Sequence, residues 1–183
     1  PVKGGIHIGP LIHLNNGLLY STARTIIRPT LAGDCIRLKI SNRYSKRPLC
    51  ISETTIADYA GGKACTNKPI NVTFNGKKEL TLAPGEEILS DTVDFKVEAL
   101  RKIAVSFYVK HAVMRTKILY GGDTYLSPGN CTHKEKFRPW WHLNLKLDMS
   151  HIQTVPFLTR IDVLANEDCY AIVMAGDSTF TNE

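Results

Sequence analysis

Short stretches of this chain alternate between apolar and polar side chains, and before Tyr170 no stretch of useful length repeats with the period of a helix. A period of two sends successive side chains to opposite faces of a strand, which confines such a chain to sheet structure. Cys35-Ile36-Arg37-Leu38-Lys39-Ile40 is the cleanest case, with Ile36, Leu38 and Ile40 on one face and Arg37 and Lys39 on the other. Ile103, Val105, Phe107 and Val109 repeat the pattern. Gly17 to Pro29 and Leu49 to Tyr59 read as further strands, with turns at Gly33-Asp34 and Gly61-Gly62. Ile70-Asn71-Val72-Thr73-Phe74 runs into Asn75-Gly76, two residues that tolerate positive φ, so Leu80 and Leu82 are expected on the return arm of a hairpin. Ile88, Val93 and Phe95 continue the extended pattern, and Val97-Glu98-Ala99-Leu100 reads as one helical turn. Tyr120 to Trp141 reads as loop, with Gly121-Gly122 and Pro128-Gly129, and Phe157 to Leu164 resumes as strand. Many short strands between turn signals predict a mainly β chain, an antiparallel β-sandwich of jelly-roll type.

Tyr170-Ala171-Ile172-Val173-Met174-Ala175 breaks the alternation. Six apolar residues in a row are too few for a membrane span and suit a strand buried on both faces, as in a parallel sheet. The run ends at Gly176-Asp177-Ser178. In open α/β sheets ligands bind beyond the carboxyl ends of strands, so Ser178 stands where a hydroxyl can meet substrate and where its own N–H can help hold an oxyanion. The plainer alternative is an ordinary polar turn after a strand. Phe180 occupies the place where the elbow Gly-x-Ser-x-Gly of the α/β-hydrolases needs its second glycine, which disfavours that fold. The expected division is a β-sandwich over 1–168 and, over 169–183, the first strand of an α/β domain whose remainder lies outside this sequence. The chain is thus expected to be the N-terminal portion of a longer protein.

Charge and cysteines narrow the classes. The formal net charge of +6 is modest. Its densest clusters, Arg43-Tyr44-Ser45-Lys46-Arg47 and Lys134-Glu135-Lys136-Phe137-Arg138, read as solvated loops. No reading helix or stacking platform accompanies them, so no nucleic-acid partner is expected. Cys35, Cys50, Cys65, Cys131 and Cys169 form no C-x-x-C pair and no small disulfide scaffold, which leans towards a reducing, cytoplasmic compartment.

Histidines and aromatics supply the other candidates. His7 and His13 lie in a glycine-rich, loop-like start, and Cys131-Thr132-His133 is a close Cys/His pair. Structural zinc needs four ligands in paired short spacings, and no second pair is present, so no metal is expected. His111, His142 and His151 have no motif around them. Trp140-Trp141 could stack on a sugar, but adjacent strand residues point to opposite faces, and core packing with cover of a domain junction is the favoured reading. Asn71-Val72-Thr73 and Asn130-Cys131-Thr132 are glycosylation-type triplets with no secretion signal to support them.

Several stretches, taken in order, resemble the SGNH (GDSL) hydrolases, in particular a bacterial branch with an N-terminal β-sandwich. They are Thr22 to Arg28; Gly33 followed by Ile36 to Asn42; Pro48-Leu49 with Ile51; Leu82-Ala83-Pro84-Gly85 followed by Ser90-Asp91; Leu100 to Val109; Tyr125 to Gly129; and the run ending in Gly176-Asp177-Ser178. The resemblance implies a lipase-like acylhydrolase acting on acyl or acetyl esters, those of carbohydrate among them, with Ser178 as nucleophile and its N–H as one oxyanion donor. Gly176 and Asp177 would belong to the motif without supplying the triad acid. The family's histidine and acid, and its Gly and Asn oxyanion donors, follow the serine and would lie outside this sequence. The chain alone is therefore expected to be inactive. No metal or organic cofactor is implied. Thr179 departs from the commoner Ile of the block. The rival expectation is a non-catalytic β-sandwich that binds carbohydrate or another partner.

Overall fold

A computed structural model describes residues 7–8, 12–13, 17–66, 68–112, 120–137 and 151–165. These residues form strands and turns, with no helix among them and hence none long and apolar enough to cross a membrane. The strands are β1 (His7–Ile8), β2 (Ile12–His13), β3 (Gly17–Ile27), β4 (Gly33–Ser41), β5 (Leu49–Asp58), β6 (Ile70–Val72) and β7 (Leu80–Leu82). They continue with β8 (Glu87–Leu89), β9 (Val93–Val97), β10 (Ile103–Ala112), β11 (Tyr120–Pro128), β12 (His151–Thr154) and β13 (Leu158–Ala165). The chain is mainly β, and the pairings among the described residues are antiparallel.

Two sheets form. In the larger one β10 lies between β3 and β5; β11 and then β12 extend it beyond β3, while β6 and β7 pair with β5. In the smaller one β4 is central, with β13 on one side and β8 and β9 end to end on the other. Between β8 and β9 the Ser90 N–H donates to the Leu38 carbonyl, while the Ser90 hydroxyl accepts the Leu38 N–H, so the ladder on β4 is carried across the break.

The predicted alternation sets the interface between the layers. Ile36, Leu38 and Ile40 of β4 are buried and share one core with Ile103, Val105, Phe107 and Val109 of β10 and with Leu49, Ile51 and Ile56 of β5. The Phe107 ring meets Phe157 edge-on at 6.4 Å between centroids, a favoured aromatic geometry. The two layers thus close on each other as a sandwich.

Three expectations are corrected. Asn75 and Gly76 do take positive φ, 51° and 76°, and the Phe74 and Lys77 backbones exchange two hydrogen bonds around them. The return arm, however, does not pair with β6. Leu80–Leu82 pairs with the start of β5 and runs in the same direction as β6, so β6 and β7 are two halves of one interrupted edge strand. The Asp91 carboxylate fixes the excursion between them by accepting the Thr73 hydroxyl and the Asn75 and Gly76 N–H groups. Val97 to Leu100 is no helical turn: Val97 still pairs with Gly33. Leu100 then takes φ 64° and donates its N–H to the Pro29 carbonyl, which ends the run as a tight turn. Tyr120 to Pro128, read as loop, is strand β11, because it finds β3 as an open partner, Asp123 to Pro128 running against Ile26 to Ser21.

Gly33 is where the smaller sheet has no room for a side chain. A Cβ there would overlap the Leu164 carbonyl oxygen and come to 2.7 Å from Val163 Cγ1. Backbone cannot yield as a flexible side chain does, so Gly33→Ala should cost about 1–3 kcal/mol of unfolding free energy, as overpacking commonly does. Urea unfolding would measure it, and a variant as stable as the parent would show that β13 is not held against β4 as described.

Candidate functional site

The strongest sequence candidates, Gly176, Asp177 and Ser178, lie outside the described residues, as do Trp140, Trp141, His142 and Cys169. His111 and His151 fall in β10 and β12. His7 and His13, expected in loop, face each other across the β1–β2 ladder.

The Cys131/His133 pair does come apart. Cys131 is buried, while His133 is exposed and places Nε2 3.1 Å from the Glu53 carboxylate on β5. That carboxylate collects the loop after β11. It accepts the Thr132 hydroxyl at 2.6 Å and the Asn130 amide at 2.8 Å, and the Thr55 hydroxyl one pleat away donates to the Thr132 carbonyl. Burial by itself would raise the Glu53 pKa; the three hydrogen bonds and the His133 ring outweigh it, and the carboxyl sits below its ordinary value. Asn130 is therefore engaged as a carboxylate ligand, and Asn71 lies within β6.

Behind this cluster lies Arg24, which no motif singled out. It stands in the middle of β3 and is fully buried. Nε donates to the Ser106 hydroxyl on β10; one terminal nitrogen donates to the Lys63 and Glu135 carbonyls, the other to those of Cys131 and Lys134. A guanidinium has five N–H donors, and here each has an acceptor. The Phe137 ring covers it, 4.3 Å from Cζ to centroid. Desolvation lowers the Arg24 pKa, opposed by the nearby Cys65 and Cys131 sulfurs. In the sequence it is a lone charge among small residues, Thr22-Ala23-Arg24-Thr25, within the resembling stretch Thr22 to Arg28.

A third feature opens where the layers part beside β13. A cavity of about 660 Å³ is bounded by the end of β3 and the loop after it, Lys102 just before β10, Asp123 of β11 and β13. This falls within the range of small-molecule sites. Among the described residues no three His, Cys, Asp or Glu side chains converge as a metal site would require. Comparison with protein-family models and with curated proteins finds no match.

Two outcomes follow from the charged groups. Arg24→Met leaves buried carbonyls without donors and should lower stability by about 3–5 kcal/mol, the size associated with breaking a buried polar network. Thermal and urea melts measure this, and a loss under 1 kcal/mol, small against that of about 3–5 kcal/mol, would show that the loops hold without it. For Glu53 the folded pKa is depressed, so its contribution is present above the unfolded value near 4.5 and is lost as pH falls through the lower, folded one. Glu53→Gln should be less stable than the parent at pH 7, and the gap should close on acidification; a gap independent of pH would refute the carboxylate's role.

Proposed function

We propose that this chain carries the nucleophile of an SGNH-type serine esterase that hydrolyses acyl or acetyl esters, with carbohydrate esters as one substrate class. The observation that carries the reading is Gly176-Asp177-Ser178 placed directly after the apolar run Tyr170 to Ala175, downstream of a β-sandwich. In this reading the sandwich, jelly-roll-like in type, occupies 1–168 and flanks a hydrolase domain that begins in 169–183. A histidine from the rest of that domain takes the Ser178 proton as the oxygen attacks the ester carbonyl. The resulting oxyanion is held in part by the Ser178 N–H. Collapse expels the alcohol, which receives the proton from the histidine, and water then releases the acyl group as the acid. The reading calls for no cofactor.

One observation favours a second reading, a non-catalytic carbohydrate-binding or interaction module. Among the described residues, side chains between Leu18 and Leu158 already form one buried core that joins the two sheets.

A fluorophosphonate probe separates the two, because a serine hydroxyl is a weak nucleophile until a base activates it. In the full-length protein the probe should label Ser178, Ser178→Ala should abolish labelling with the fold intact, and Asp177→Asn should have the milder effect. Labelling of another serine, or ester turnover at the parent rate in Ser178→Ala, would overturn the esterase assignment.

A further inference from the structure

The cavity beside β13 has a composition that selects for one kind of ligand. Its walls include Ile27, Val155, Ile161 and Val163, aliphatic side chains that pack against the core yet remain only half-buried because the layers diverge there. Burying such surface under a ligand is favourable in proportion to its area. Its rim is cationic. Arg28, Lys102 and Arg160 line the opening, and Asp123 is the one carboxylate among its described lining residues. Arg160 is engaged by Asp162, which also takes Arg37. Arg28 and Lys102 have no carboxylate partner among the described residues, and Lys102 lies over the Tyr59 ring at 5.6 Å. A neutral apolar ligand would leave those two charges unused, and a cationic one would be repelled by them.

We propose that this cleft binds an amphipathic anion, an aliphatic chain carrying a carboxylate, with the chain between β3 and β13 and the head group at Arg28 and Lys102. The proposal is argued from described residues before 166, so it stands or falls apart from the Ser178 reading.

Calorimetry of the full chain with hexanoate, octanoate and decanoate, at low salt, tests it. Affinity should rise about threefold to fourfold for each methylene added, with one ligand per chain. Decanoate should bind about tenfold or more tightly than decyltrimethylammonium, and the double variant Arg28→Glu, Lys102→Glu should erase that preference. Both positions lie on the surface side of the fold, and circular dichroism checks that the variant keeps its sheet structure. Raising the salt should weaken decanoate binding, since the rim is open to solvent. Amide resonances of Ile27, Leu158, Ile161 and Val163 should shift on titration. Absence of heat up to millimolar decanoate, equal affinity for the cationic analogue, an unchanged preference in the double variant, or shifts confined to other residues would each overturn the proposal.

Discussion

The buried Arg24 guanidinium is the interaction on which the outer side of the larger sheet depends. A charge removed from water must recover its hydration from the protein, and here four main-chain carbonyls and one hydroxyl do so. Three of those carbonyls, of Cys131, Lys134 and Glu135, belong to the loop after β11, and the fourth, of Lys63, to the loop after β5. One side chain thus ties two loops to the sheet, loops that also meet directly where the Cys65 N–H donates to the Glu135 carbonyl. The Thr22 hydroxyl repeats the device two residues earlier, donating to the Gly129 carbonyl and accepting the Cys131 N–H. Main-chain groups in a loop satisfied this way can be buried, which is why the larger sheet is covered on its outer face as well as its inner one.

That double cover explains which parts of the sequence were legible. Where a strand has one face in the core and one in water, alternation names both, as in β4 with Ile36, Leu38 and Ile40 in and Arg37 out. In β10 the inner residues Ile103, Val105 and Phe107 were equally plain, but Ala104 and Ser106 on the opposite face are buried as well. Alternation alone gives no sign that these small and polar residues are covered by the loop layer. Arg24 escaped notice for the same reason. The segment Asn75-Gly76 was read correctly as a turn and wrongly as a strand reversal, because the pairing of Leu80 and Leu82 with β5 is decided by an edge distant in sequence. Strand β11 was missed because Gly121, Gly122, Asp123 and Pro128 carry little strand signal until β3 offers its hydrogen bonds.

The smaller sheet has a different logic. Its centre, β4, is shared end to end by β8 and β9 on one side, and β13 lies against it on the other along a ladder that shifts register at two places. The second shift, between Leu164 and Ala165, falls at Gly33, where no side chain stands between the backbones. Close approach at that end of the strand leaves Ile161 and Val163 facing the cleft at the layer edge. The aliphatic walls of the cavity, Ile27, Val155, Ile161 and Val163, pack against the core and are only partly buried.

The Glu53 cluster brings together a carboxylate, an imidazole and a hydroxyl, the residue types of a nucleophilic triad, yet its connectivity is different. In a triad the hydroxyl donates to the imidazole, and the imidazole to the acid. Here the Thr132 hydroxyl lies within donating distance of the Glu53 carboxylate and the Asn130 carbonyl oxygen, and it is buried. The imidazole meets the same carboxylate from the solvent side. A hydroxyl whose proton is committed to a carboxylate has no base to give it to, and a buried one has no route to a substrate. The arrangement instead gives Glu53 three partners on one loop, the loop whose far side Arg24 holds from beneath. The two charges grip the loop from β5 and β3, the strands on either side of β10.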